Sequence, residues 1–331
     1  MATLATNALT LSDWAKRLEP DSGKVSDIVE LLSQTNDILK DMLWMEGNLP
    51  TGHRTTVRTG LPAVAWRLLN YGVPPTKSST AQVDDACGIL EAYSEVDKDL
   101  ASLQGNLGAF RLSEARSFLE AMNQEMAAKL IYGNTATDPK VPLGLSPRYN
   151  LLSAGNGGNI IDAGGTQTDN TSVWLVTWGD QTMHGIFPKG SKAGLNHEDL
   201  GEDTIIDSNT PAGRFQAYRD HFQWKAGFSL RDWRYVVRIA NIDVSNLTSE
   251  SSNADLIKAM IKAQNKIPNA GMGKQAFYMN RTVYTMLQIQ ALNKSNSALA
   301  IVPAANQFET QFFGVPLRKV DAILNTEARV V

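Results

Sequence analysis

The sequence predicts an α+β fold, and three observations carry that reading. One stretch repeats apolar residues at helical spacing over about twenty positions; others alternate apolar and polar residues over strand lengths; and the first 46 residues hold only short helical fragments between polar breaks. A chain of 331 residues can bury a sizeable core and divide into about two domains. Its 43% hydrophobic and 20% charged residues describe an ordinary folded protein.

In chain order, residues 1–46 read as an arm that orders against a partner surface. Val25, Ile28, Val29 and Leu32 keep helical spacing, as do Ile38, Leu39, Met42 and Leu43, with "EPDSGK" breaking the run. The stretch "TGHRTTVRTG" sets Thr55, Val57 and Thr59 against Arg54, Thr56 and Arg58, the period of a strand. "PAVAWRLL" continues with Val64, Trp66 and Leu68 on one face, before "YGVPPTKSST" closes the region as a loop. Asp84, Asp85, Glu91, Glu95, Asp97 and Asp99 form an acidic run read as a solvated helix face. The clearest helix is expected over 113–132, with a stripe of Leu112, Ala115, Leu119, Met122, Met126 and Leu130, Ser113 as N-cap and Gly133 as stop.

"SVWLVTW", Ser172 to Trp178, reads as a strand, and residues 184–213 as a polar connection. The longest alternation then sets Phe222, Trp224, Ala226, Phe228 and Leu230 against His221, Gln223, Lys225, Ser229 and Arg231. A phase slip at Asp232 implies a bulge or bend before Trp233, Tyr235, Val237 and Ile239. A helix on Leu256, Ile257, Met260 and Ile261, capped from 251–253, a helix after Asn280 and a closing strand in "FFGVPLRKV" complete the chain.

No chemistry assembles from these pieces. "GIFPKGSK", Gly185 to Lys192, has the two glycines of a phosphate-binding loop, but Ser191 precedes Lys192, and Glu198, Asp199, Glu202 and Asp203 follow. Such a loop needs a helix next and no clustered carboxylates, so nucleotide binding is not expected. His184 and His197 lack a helical metal-ligand spacing and read as solvated loop residues. Ser191 lacks the first glycine of a nucleophile elbow, and the single cysteine, Cys87, reads as a packing residue that fits a reducing cytoplasm. Arg54, Arg58 and Arg67 suit phosphate contacts, exposed strand faces or partners of the acidic run equally well. A net charge of −3 offers no general attraction to nucleic acid, and neither a secretory leader nor a membrane-spanning run is legible. No catalytic, cofactor or metal residues are therefore assigned. A cytoplasmic enzyme, or a nucleic-acid-binding protein, is the alternative class.

Three segments, "LIYGNTATDPKVPLGLSPRYN", "SVWLVTWGDQTMHGIFPKGSKAGLNHEDLGE" and "FFGVPLRKVDAILNTEARVV", together resemble the major capsid proteins of short-tailed (podovirus-type) bacteriophages. The resemblance covers most of residues 47–331. It implies the Hong Kong 97-type phage capsid fold, with axial and peripheral domains, a long spine helix, an extended β-hairpin loop and an N-terminal arm. It implies a structural protein that self-assembles into pentamers and hexamers of an icosahedral head around double-stranded DNA. The implied partners are copies of itself, scaffolding, portal and cement or decoration proteins, and packaged DNA held without sequence-specific binding; no membrane is implied. The implied location is the virion, after assembly in the host cytoplasm.

On this pattern residues 1–46 are the arm, 47–170 the peripheral region with the spine, and 241–331 the axial region. The extended loop is placed at 171–240 for its longer alternating strands, with 48–82, the usual family position, as the alternative. The candidate intersubunit contacts are Phe222, Trp224, Phe228 and Leu230, whose apolar face must lie against a neighbour or against its own domain.

Overall fold

Our description rests on a computed structural model and covers residues 34–102, 107–206, 213–248, 256–293, 299–304 and 307–331. The fragments at 1–33 and the caps expected at 251–253 lie outside it. The chain forms two units, each assembled from separate stretches of sequence. Among the described residues, one comprises Gln34 and those of 89–126 and 194–225; the other comprises those of 35–88, 127–193 and 226–331. The units therefore do not follow consecutive sequence blocks.

The larger unit is built on buried strands. β1 (Trp44–Glu46) precedes a hairpin of β2 (Gly52–Gly60) and β3 (Ser79–Ala86), which pair antiparallel as a separate two-stranded sheet. After β4 (Gly88–Asp97) and helix α1 (Leu107–Tyr132) come β5 (Ile160–Asp162), β6 (Asn170–Trp178) and β7 (Met183–Phe187). Every residue of β6 is buried, so the apolar run in "SVWLVTW" is a central strand. β6 pairs antiparallel with β10 (Val236–Asp243) and with β11 (Lys274–Met279), and β11 pairs parallel with β14 (Val315–Lys319). On this sheet lie α2 (Leu256–Lys266) and α3 (Arg281–Asn293). They join Leu256, Met260, Val283 and Leu287 to Leu175, Val237 and Phe277 in one core. Asn280 caps α3, its Oδ1 accepting from the Val283 amide at 2.9 Å.

Residues 35–46, expected to belong to an arm, are part of this unit. Ile38, 2% exposed, sits in a single helical turn, and β1 pairs parallel with β7. Asp41 accepts from the Tyr278 hydroxyl at 2.9 Å and from Arg318 at 3.2 Å.

Strand β9 (Arg214–Leu230) belongs to the smaller unit up to Lys225 and to the larger from Ala226; in the smaller unit it pairs antiparallel with β8 (Leu195–Ile206) from Trp224 to Arg214, and β4 flanks it. The residues read as a polar connection thus include two strands, β7 and β8. β8 escapes notice because it is exposed on both faces and shows no alternation of burial.

Helix α1 starts six residues before the predicted Ser113 cap, which lies inside it. Phe110 anchors the added turns, packing with Val96 and Ala101, and Leu107 joins that cluster. The predicted stripe is buried only at Met122, Met126 and Leu130; Leu112 and Leu119 are exposed, while Ala127 and Ile131 are buried instead. The reason is that residues up to Met126 belong to one unit and those from Ala127 to the other, so no single face serves the whole helix. Gly133, the residue just past the helix, still donates its amide to the Lys129 carbonyl at 2.8 Å, and close packing requires it to be glycine. A Cβ there would stand 2.4 Å from the Pro142 carbonyl oxygen and 2.5 Å from that of Lys129.

Two further expectations change. The acidic run lies mostly in β3 and β4, with only Asp99 in the short helix Lys98–Ser102. At Asp232 the slip is a capped 3₁₀ turn over Trp233–Tyr235, the carboxylate accepting from the Arg234 amide at 3.0 Å.

Candidate functional site

The β2–β3 hairpin is fastened at its base and free at its tip. Asn48 grips the backbone of Arg54 from both sides, its amide donating at 2.8 Å and its carbonyl accepting at 2.7 Å. The Gly47 amide donates to the Phe187 carbonyl at 2.8 Å, and that of Lys189 to Leu49 at 3.2 Å. Gly52 must be glycine, because a Cβ would stand 2.0 Å from the Asp85 carbonyl oxygen. Further out, Arg54 clasps Asp84 across the strands with two bonds of 2.6 and 2.7 Å. That pair resolves the reading of Arg54: it partners the acidic run within its own hairpin. It is exposed and screened, so it sets register more than stability.

Beyond the pairs lies a connection from 61 to 78 that carries no strand. The apolar side chains of "PAVAWRLL", expected to continue the strand pattern, have no sheet to face. Every residue from Leu61 to Asp84 is exposed. Val64 is 93% exposed, Leu69 87%, and Trp66 wholly so. Leu61, Leu68 and Tyr71 are exposed as well. The loop is nevertheless shaped. Thr76 donates to the Ala63 carbonyl at 2.7 Å, the Tyr71 amide donates to Leu68 at 3.2 Å, and Asn70 takes a left-handed φ of 69°. Exposed apolar area on this scale is a common feature of interaction surfaces.

The residues singled out for subunit contact lie elsewhere. Phe222 is 2% exposed, stacked 4.8 Å from the His197 ring and 6.1 Å from that of Phe118 within the smaller unit. Phe228, also 2% exposed, lies in the larger unit beneath the Arg148 guanidinium at 5.0 Å. Trp224 and Leu230 are half-buried, and the Leu230 amide donates to Asp85 at 3.2 Å. Of the two faces allowed by the alternation, the one against its own domain takes Phe222 and Phe228. The segment 171–240 is also not one projecting hairpin, since its β6 is buried throughout and β7 nearly so.

The phosphate-loop lookalike is a strand end and a turn. Residues 185–187 lie in β7; the Gly190 amide donates to the Glu46 carboxylate at 2.8 Å, and Ser191 donates to the Pro188 carbonyl at 2.6 Å. A strand, β8, follows where a nucleotide site needs a helix. His184 is fully buried in β7, against the solvated reading, whereas His197 is half-exposed in β8 and bonds Asp220 at 2.9 Å. Cys87 is partly buried, and burial pushes its thiol up to about 12, which keeps it unreactive. Among the described residues no group of three or more His, Cys, Asp or Glu side chains could hold a metal ion.

A rigid sheet that holds an apolar loop in solvent makes sense as one tile of a larger surface, and the fold is that of such a tile: the Hong Kong 97-type fold of phage shell subunits. A family model described as major capsid protein GP7 matches residues 20–331, and the chain belongs to that family. A chain in the near-atomic-resolution cryo-EM structure of bacteriophage epsilon15 is 37% identical, covering 100% of this chain and 99% of that one, with a TM-score of 0.81. More distant likenesses include the bacteriophage JBD30 capsid (8% identity, 88% of this chain and 92% of that one, TM-score 0.48). Another is the capsid of a native GTA particle (9% identity, 66% and 94%, TM-score 0.45). No curated protein sequence matches. The protein is a structural subunit of an icosahedral phage capsid, which forms from copies of itself and is part of the virion.

Proposed function

We propose that the β2–β3 hairpin is the extended loop of this capsid subunit, and that its tip, residues 61–78, makes the apolar contact with a neighbouring copy. The observation that carries this reading is a shaped loop on which Val64, Trp66 and Leu69 are almost fully exposed. Full burial of each such side chain stabilises by about 1.5–3 kcal/mol, and the contact recurs once per copy in the shell. Residues 89–126 with 194–225 make the peripheral domain, and the sheet of β6, β10, β11 and β14 with α2 and α3 makes the axial one. The subunit acts by association, without catalysis. Its partners beyond itself are scaffolding, portal and decoration proteins, and its net charge of −3 suits a shell that encloses DNA without gripping it.

Cysteine-directed cross-linking tests the loop contact, because Cys87 is a quiet background. Leu69→Cys, labelled with a photo-reactive maleimide, should give cross-links between copies in assembled particles and none after dissociation. Cross-links confined to one chain, or absent from intact particles, would refute the contact.

A further inference from the structure

At the base of the same hairpin two histidines are enclosed with few partners. His53, on β2, is 8% exposed, and His184, on β7, is 0% exposed; their rings meet edge-on with centroids 5.7 Å apart. Neither ring nitrogen of His184 has a hydrogen-bond partner in the protein, and neither does Nδ1 of His53. The Gly179 carbonyl favours the charged form of His184 without making a bond of normal geometry. Ser229, which pairs with His184 across the strands, is buried with its hydroxyl equally unpartnered.

The charges around the pair set its protonation. Arg231, just past β9, donates from Nη2 to Nε2 of His53 at 3.1 Å. That bond requires a bare Nε2, so the proton of neutral His53 sits on Nδ1. A second proton on His53 would remove the acceptor and set two cations at that distance. Asp85 on β3 faces His53 as its cross-strand partner, but it is held by Arg148 at 2.6 Å and by the Leu230 amide at 3.2 Å. Asp180, in the turn before β7, is 3.7 Å from Arg231 and 53% exposed, so water screens it.

We propose that the His53–His184 pair is an acid-sensitive fastening that holds the β2–β3 hairpin on β7 while both rings are neutral and loosens its base when they take up protons. The inference stands whatever surface the loop tip meets. Burial, reinforced by Arg231, lowers both imidazoles below their usual 6.5, His184 to about 4. Since the folded form resists protonation, the fastening is complete above the unfolded value of about 6.5 and weakens as pH falls from there towards about 4. Below that the loss levels off.

The test is deuterium uptake by assembled particles, read on peptides spanning residues 52–60 and 183–187 and corrected for intrinsic exchange. Between about pH 7 and about pH 5, opening at these peptides should become on the order of tenfold more frequent, with little change at β6 and β10. His184→Phe should flatten that response. His53→Gln, whose amide oxygen can still accept from Arg231, should reduce it and serves if the first variant fails to fold. No local increase in the parent protein, or an undiminished one in either variant, overturns the proposal.

Discussion

At the scale of single residues, burial and strain decide what each side chain can do. Arg238, 2% exposed, is compensated from three sides: Glu327 at 2.9 Å, the Ser172 hydroxyl at 3.0 Å and the Tyr149 carbonyl at 2.7 Å. Glu327 also accepts from the Tyr132 hydroxyl, so one carboxylate ties the C-terminal segment to β6, β10 and the end of α1. Glu327→Ala strands a buried guanidinium and should destabilise the subunit by about 3–5 kcal/mol in denaturant unfolding. Phe313 is the opposite case. It sits in a two-residue turn at φ 45°, followed by Gly314 at φ 79°, and is 57% exposed. A bulky residue there is strained, and asparagine suits the position better. Phe313→Asn should raise stability by up to about 1 kcal/mol, less what its edge contact with Phe312 supplies.

Elements were legible where burial leaves a period and illegible where it does not. The body of α1, the central β6, α2, α3 and β14 all show in the sequence because one face, or both, is buried. β3 and β8 are exposed along most of their length, and their polar sequences carry no alternation; only the partner strand defines them. "PAVAWRLL" misled in the other direction, because apolar residues usually signal burial within the chain and these are exposed. The same ambiguity hid the candidate site: the alternation at 221–231 is stronger than anything at 48–82, yet its Phe222 and Phe228 are buried in the subunit's own interior. Two variants separate the cases. Phe222→Ala should lower unfolding stability by about 3–5 kcal/mol, as cavity formation does, while Trp66→Ala should leave it within about 0.5 kcal/mol. At the hairpin base Gly52→Ala should destabilise by about 1–3 kcal/mol through its collision with the Asp85 carbonyl.

For the whole molecule, function rests on which surface is left uncovered. A subunit that associates with many copies must fold alone and still keep apolar area for its neighbours, and on the proposed reading the sheet core takes the first task and the loop at 61–78 the second. The most direct measurement compares particle yield with subunit stability for the combined variant Val64→Ser, Trp66→Ser and Leu69→Ser. The account predicts an unfolding midpoint equal to that of the parent and particle yield reduced at least tenfold, since removal of even one such buried contact is worth about 1.5–3 kcal/mol. Particles formed at parental yield, or a midpoint that falls together with yield, would contradict it.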